Sequence, residues 1–417
     1  MPGPDSSVGA RRSLHVAYVG PVDYASNSAE SQRMTGVIRA LRVAGDRVSI
    51  GSAGWPADAA STEPNDVRVS ALGETPLPSW PRWRRVWRGL SWGAATRDWI
   101  AGLQPPPDVI VVYGTPAGYL LRLLPLARRL AVPLVLDVVE WYQPAHLPGG
   151  RLGPFALANT VSMRLLAPRA NGVLAISSFL QDHFEGAGVP TLRVPPLFEL
   201  APPARPAGGR HPLRLCYVGS SGQKDRETVV HLTQLPGLLG LDRARLHIDI
   251  VGMDRAGARA LLGTEADAHL DHECLHFHGR VPAIEARRIV AESDFSVLQR
   301  RPERFAQAGF PSKVVESLLL GTPVMANLTS DLHEVLVEGR NARVLGDDTL
   351  GSLARAVARV LAEASGGGAF DRDLIAAEAR SRFSPVDFAT PVHEFLAALT
   401  TARSHARRFR RFGRFRR

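Results

Sequence analysis

At 417 residues the chain exceeds what one hydrophobic core holds, so two domains of roughly 150 to 200 residues are expected. Apolar content of 45% and charged content of 22% exclude wholesale disorder. No uncharged apolar run approaches about 18 residues and the opening MPGPDSSVGARRS holds no apolar core, so a cytoplasmic chain without membrane spans is expected. The net charge of +10 is concentrated in residues 403–417, which hold eight arginines and no acid.

Short β-rich runs alternate with helical patterns from end to end, the signature of parallel βαβ units. The first half offers strands at 14–20 (LHVAYVG), 47–53, 108–114, 133–139 and 172–178. The second offers 213–219 (LRLCYVG), 245–252, 275–281, 295–300 and 322–327. LHVAYVG and LRLCYVG are one strand-then-glycine pattern repeated 199 residues apart, which suggests two similar domains in tandem. LAPPARPAGGRHP between them is rich in Pro, Ala and Gly and reads as the linker. The expected boundaries are 13–200 for the first Rossmann-like domain and 213–385 for the second, facing each other across a cleft at the carboxyl ends of their strands. A helix over 386–402, possible to pack back on the first domain, and the basic tail 403–417 follow. Cys216 and Cys274 fall on inner strands and read as reduced core thiols.

In the first half, GPVDYASNSAESQRMTGVIRAL (20–41) is a small-residue polar loop leading into a helix; Gly20, Ser28 and Arg33 are placed at the cleft, although an ordinary loop fits equally well. DVVEWYQP sets Asp137, Glu140, Trp141 and Tyr142 at a strand's carboxyl edge, where an acid beside aromatics can hold a sugar; a core tryptophan with a solvated Glu140 is the equal alternative. Residues 80–99 hold five of the seven tryptophans and five arginines. There Trp83, Val86, Trp87 and Leu90 keep helical spacing, which suits an anionic bilayer interface, or else core tryptophans fringed by arginines. With the tail 403–417, this segment favours an anionic membrane surface over nucleic acid as partner.

In the second half the chain's only two lysines stand out among 50 basic residues. Lys224 lies in YVGSSGQKDRETVV, a strand followed by a loop with Gly219, Ser220 and Gly222, where small residues let a phosphate approach backbone N–H groups. The spacing is not that of a Walker loop. Lys313 lies in FPSKVVESLLLGTP, with a helix start at Pro311 and Ser312 and a stop at Gly321 and Pro323. Val314, Val315, Leu318 and Leu319 form its buried stripe, and Lys313, Glu316, Ser317 and Leu320 share another face. A first-turn lysine sits where the helix dipole disfavours it unless an anion is held there too, and Glu316 can accept two hydrogen bonds from a ribose diol. A solvated Lys–Glu pair is the plainer reading of the same spacing.

These motifs resemble the retaining glycosyltransferases of family 4, with the GT-B fold, over nearly the whole chain and most sharply across DFSVLQR and AGFPSKVVESLLLGTPVMANLTSDL. The EWY segment at Glu140 is similar to that of bacterial polysaccharide enzymes. The resemblance implies that Glu316 binds the donor's ribose hydroxyls, Lys224 the diphosphate, and the backbone of Gly309, Phe310, Pro311 and Ser312 the transferred sugar and phosphates. Arg280 joins this donor set. It further implies a nucleotide-sugar donor carrying UDP or GDP, a glycan or lipid-linked acceptor, retention of anomeric configuration, and no essential metal or cofactor. Lys224, with Lys313, would stabilise the leaving diphosphate. Where the family often carries a second glutamate, an arginine and a histidine, this chain has Ala308, Ser220 and Val139. A nucleotide-sugar epimerase or hydrolase and a non-catalytic sugar-nucleotide-binding partner are the competing readings. The expected location is the inner face of the plasma membrane.

Overall fold

The computed structural model describes all residues except 1–11, 27, 56–66, 77–78, 82–91, 145–146, 148, 202–211, 220–225, 264–266, 364–369 and 414–417, and of 152, 267–268 and 403–413 the backbone alone. Two wholly parallel sheets organise the described residues. The first contains β1 (His15–Val19), β2 (Arg47–Ser52), β3 (Arg68–Ala71), β4 (Val109–Tyr113), β5 (Leu134–Val138), β6 (Gly172–Ala175) and β7 (Thr191–Arg193), in the order β3-β2-β1-β4-β5-β6-β7. The second contains β8 (Leu213–Val218), β9 (Leu246–Val251), β10 (Leu275–Gly279), β11 (Phe295–Leu298), β12 (Val324–Asn327) and β13 (Ala342–Leu345), in the order β10-β9-β8-β11-β12-β13.

All ten strands expected from sequence are present. The three that were not expected, β3, β7 and β13, are sheet edges. Edge strands need a buried run on one side only; β3 and β7 are three or four residues long and half-buried, so they carry no continuous apolar signal. The inner strands are buried on both faces. Along β1, Ala17 and Val19 join one core, while Val16 and Tyr18 join the core on the opposite face.

Helices cover both faces: α1 (Ala29–Val43), α2 (Ala94–Gly102), α3 (Ala117–Leu130), α4 (Pro154–Val161) and α5 (Ser178–Gly186) on the first sheet. The second carries α6 (Arg226–Leu239), α7 (Arg255–Leu262), α8 (Asp267–Leu270), α9 (Ala283–Glu292), α10 (Arg304–Ala308), α11 (Ser312–Leu319), α12 (Leu350–Glu363) and α13 (Arg372–Phe383). A last helix, α14 (Pro385–Gly413), crosses back to the first domain, where Val392 and Leu396 pack with Met34, Val37 and Leu41 of α1. It is fastened by buried His393, whose Nδ1 lies 3.0 Å from both oxygens of Asp46.

The domains share one seam. A single apolar cluster runs from Leu136, Trp141 and Leu180 of the first domain into Ala308, Phe310, Val314 and Phe383 of the second. Polar contacts fix its register: Asp331 accepts from the Ser178 backbone N–H at 2.9 Å and its hydroxyl at 2.5 Å, at the N-terminus of α5, where the helix dipole favours a carboxylate. The Ser177 hydroxyl donates to the Ala308 carbonyl at 2.7 Å, and Arg193 reaches Glu334 at 2.7 Å.

Cys216 and Cys274 are buried and free, and burial pushes their thiols up to about 12 and about 11. The proposed bilayer helix from Trp83 to Leu90 lies outside the described residues, as do the side chains of the tail. Trp92 and Trp99, from the same segment, pack against the first domain's core, so they are structural.

Beneath the cleft, Asp137 of β5 is fully buried. It accepts from Arg33 Nη2 at 2.8 Å and from the Tyr18 hydroxyl, while Arg33 Nη1 donates to the carbonyls of Val194 and Pro195 at 2.8 and 2.5 Å. Removing one partner of such a pair strands the other charge without water. Asp137→Ala is therefore expected to cost about 3–5 kcal/mol of unfolding free energy in urea denaturation; a loss under about 1 kcal/mol would contradict this role.

Candidate functional site

Both sheets change direction of connection between a central pair of strands, β1/β4 in the first and β8/β11 in the second, and there the helices diverge and leave a crevice. The two crevices open on one another and form a single cleft of ≈ 1500 Å³ lined by both domains.

On the second-domain side the chain is shaped by close backbone approach. Gly252 adopts φ +93°, and a Cβ there would lie 2.3 Å from the Gly219 carbonyl oxygen. A Cβ on Gly219 would meet the Lys313 Nζ and the Tyr217 hydroxyl, each at 2.3 Å. Bare backbone at the ends of β8 and β9 is thus what lets the Lys313 side chain lie across the cleft floor. Its ammonium donates to the Tyr217 hydroxyl at 3.2 Å and sits 4.6 Å from that ring's centre.

Helix α11 begins at Ser312 with Pro311 as its N-cap and aims its first turn into the cleft. Val314, Val315, Leu318 and Leu319 are buried, and the face of Lys313, Glu316, Ser317 and Leu320 lines the cleft wall. The helix period sorted the two faces correctly because the heavy apolar stripe has one place to go. Burial raises the Glu316 carboxyl, opposed by the positive charges of Arg287 and Lys313. The Glu316 carboxylate makes no hydrogen bond among the described residues, while the residue's backbone carbonyl accepts from the Leu320 N–H at 3.0 Å within the helix.

Gly219, Arg280, Gly309, Phe310, Pro311, Ser312, Lys313 and Glu316 all line the cleft together. Ser220, Gly222 and Lys224 lie outside the described residues. Ala308 is fully buried with its carbonyl tied to Ser177, so this position belongs to the domain seam. Val139 lines the cleft beside Glu140.

The first-domain expectations divide. Ser28 lines the cleft and caps α1, accepting from the Ser31 N–H at 3.2 Å, and Glu140 and Tyr142 line the cleft. Arg33 touches the cleft but is buried, and its guanidinium is consumed by Asp137 and two carbonyls, so it acts as a strut. Asp137 is that strut's partner. Trp141 is a core residue: its ring lies 4.4 Å from that of His183, with the Arg304 guanidinium 4.8 Å over it. Gly20 is not among the cleft-lining residues; it sits under Tyr113, whose Cβ would be 2.7 Å from a Cβ placed there.

Sequence reasoning missed Arg287 and Tyr113. Arg287 and Arg288 are consecutive on α9, about 100° apart around the helix. Arg288 is occupied outside by Glu285 and Glu292 at 2.6 and 2.7 Å, while Arg287 faces the cleft beside Glu316 with its Nε unpartnered. An isolated RR pair carries no sign of which member turns inward, although the acids at i−3 and i+4 of Arg288 were a readable clue. Burial, then the charge of Glu140, holds the Tyr113 hydroxyl well above its ordinary range.

Residues 30–197 match the Glycosyl transferase 4-like domain, and residues 212–363 match Glycosyl transferases group 1. Among solved structures of similar fold is a sucrose-phosphate synthase from Thermosynechococcus elongatus, at 15% identity over 93% of this chain and 100% of that one, with a TM-score of 0.71. HepE from Anabaena, in complex with UDP and glucose, is 16% identical over 92% of this chain and 100% of its own, with a TM-score of 0.65. The lipopolysaccharide outer core galactosyltransferase WaaB in its apo form follows at 14%, 92% and 99%, with a TM-score of 0.58. No curated protein matches the chain in sequence.

Two outcomes test the site. Because burial raises the Glu316 carboxyl, its ionised form costs the folded protein stability above the raised value, and the cost vanishes below the ordinary value of 4.5. Glu316→Gln is expected to raise the melting temperature of donor-free protein at neutral pH, with the gain fading as the pH falls through that window; a pH-independent difference would exclude the effect. Gly219→Ala is expected to displace Lys313 and, on the function proposed below, to weaken nucleotide binding by at least about tenfold in calorimetry, the scale of one charge-assisted hydrogen bond. Unchanged affinity would show that Lys313 need not lie where it does.

Proposed function

We propose that this chain, which belongs to the glycosyltransferases and has the GT-B fold, moves a sugar from a UDP- or GDP-sugar bound by the second domain to a glycan or lipid-linked acceptor at the first, with retention. The observation that carries the reading is the cleft wall formed by α11: a helix N-terminus, a lysine held by Tyr217 and an unbonded carboxylate one turn on. The helix end and Lys313 suit a diphosphate, and Glu316 suits a ribose diol. HepE, of similar fold, was crystallised with UDP-glucose, which supports this donor class.

In the reaction, the donor's anomeric carbon–oxygen bond breaks and the pair of electrons leaves with the diphosphate. Lys224, Lys313, Arg287 and the first-turn N–H groups of α11 stabilise that charge, and the acceptor hydroxyl attacks from the same face, forming the new glycosidic bond as its proton passes to the departing diphosphate oxygen. Membership of the polysaccharide or glycolipid pathways of bacteria, at the inner membrane surface, is part of the same proposal.

The test is to incubate the protein with a panel of nucleotide sugars, with and without a bacterial lipid extract, and to measure released UDP and GDP. Acceptor-dependent release from one donor is expected, and Lys224→Ala is expected to raise the donor Kd by about tenfold or more. Binding without turnover across the panel would refute the transferase reading, and unchanged affinity in Lys224→Ala would refute the role of that loop.

A further inference from the structure

We propose that the outer surface of α4 and the turn after it (Ser162–Leu166) is a docking face for an anionic lipid bilayer, which sets the mouth of the cleft at the membrane. The function proposed above gives this docking its purpose, but the face is argued independently of it.

Phe155, Leu157 and Leu165 are 55%, 66% and 55% exposed, a large apolar area with no described partner among the 13 exposed large apolar side chains of the described residues. Leu157, Val161 and Leu165 fall four residues apart and form one stripe along the segment, while Ala156, Ser162 and Met163 turn inward to the core. Helix α3, packed against this segment, exposes Leu121 at 60%.

Along this stretch of chain the surface charges are of one sign. Between Tyr113 and Asn171 the acids are Asp137, buried against Arg33, and Glu140, inside the cleft. The same stretch holds Arg122, Arg128, Arg129, Arg151, Arg164 and Arg169. Among the described residues, Arg128, Arg129, Arg151, Arg164 and Arg169 make no ion pair, in a chain whose arginines elsewhere pair freely with acids. Arginines that make no ion pair among the described residues, on the same segments as exposed apolar side chains, match a surface of lipid phosphates over acyl chains, each cation contributing on the order of 1 kcal/mol near it. A water-soluble acidic partner would use the arginines and leave the apolar stripe unexplained.

The face is also tied to the site. Asn159, on the inner side of α4, donates to the Tyr142 carbonyl at 3.3 Å, and Arg304 of the second domain donates to the same carbonyl at 2.7 Å. Tyr142 lines the cleft and stacks on Phe305 at 5.9 Å. The width of one helix, about 10–12 Å, therefore separates the apolar stripe from the lip of the cleft. An acceptor whose glycan is carried on a lipid would reach the site from here without leaving the bilayer.

The experiment is cosedimentation of the full chain, without donor, with vesicles of phosphatidylcholine alone and of phosphatidylcholine mixed with phosphatidylglycerol. Wild type is expected to bind the mixed vesicles more tightly and to keep part of that binding in high salt, which screens arginine contacts but not apolar burial. Phe155→Ser/Leu157→Ser/Leu165→Ser is expected to lose at least about tenfold in partitioning. The exposed pair Leu238→Ser/Leu374→Ser on the second domain is expected to bind like wild type. A triple variant that binds like wild type, a wild type that ignores both vesicles, or a wild-type dimer in lipid-free buffer that the triple variant abolishes would each overturn the proposal, the last by making the face a contact between copies. The binding measured involves no turnover, so it can hold while the transferase reading fails, and the reverse.

Discussion

The cleft exists because the two sheets are held with their carboxyl ends opposed, and the apolar seam between the domains is what holds them. That seam is laid down by residues that also shape the site: Phe310 and Val314 anchor α11 in the shared cluster, so the helix presenting Lys313 and Glu316 cannot move independently of the first domain's core. Directional polar contacts set what apolar packing alone would leave free to slide. Asp331 at the start of α5 and Arg304 on the Tyr142 carbonyl are spaced along the seam and allow one register. The position of Ala308 follows: with its carbonyl taken by Ser177 and its side chain fully buried, an acid there would have to be desolvated inside the seam.

Cations in and around the cleft fall into three uses. Arg33 is saturated by a carboxylate and two carbonyls, which suits a planar fork with five donors and fixes the strand ends beneath the first-domain wall. Arg288 is neutralised by helical neighbours outside. Arg287 and Lys313 face the cleft, and their field works against the burial that raises Glu316. A diphosphate entering this site meets positive charge already oriented toward it, so little of the binding energy is spent on reorganisation. The saturated, fixed position goes to an arginine, whose planar fork spends several donors at once, whereas Lys313 brings a single ammonium on a long stem to the cleft floor.

The sheet cores and the α11 faces were legible from sequence because burial on two sides, or on one helical stripe, imposes a period. The inner strands of both domains followed from apolar runs, and the edges β3, β7 and β13 did not, since an edge is specified by its neighbour's hydrogen bonds more than by its own side chains. In the first domain the reading of residue types outran what they could decide. Asp137, Trp141 and Arg33 have the chemistry of a sugar site, yet whether such groups face a cleft or each other depends on pairs more than 100 residues apart in sequence, such as Arg33 with Asp137. Glu140 and Tyr142, from the same short segment, do face the cleft, so a turn of the chain by one residue separates site from core.

That turn also links the two ends of the proposed reaction. Trp141 is driven inward by His183 and Arg304, which leaves the Tyr142 carbonyl outward, where Asn159 of α4 and Arg304 of the second domain both bind it. One carbonyl therefore joins α4 of the first domain to the second domain. Arg304 holds that carbonyl although its own charged form is disfavoured by burial and by the like charge of Arg164. The two faces of α4 thus differ in their neighbours: the outward one carries exposed Phe155 and Leu157, and the inward one, through Asn159, shares a carbonyl with the residue that ties the two domains together.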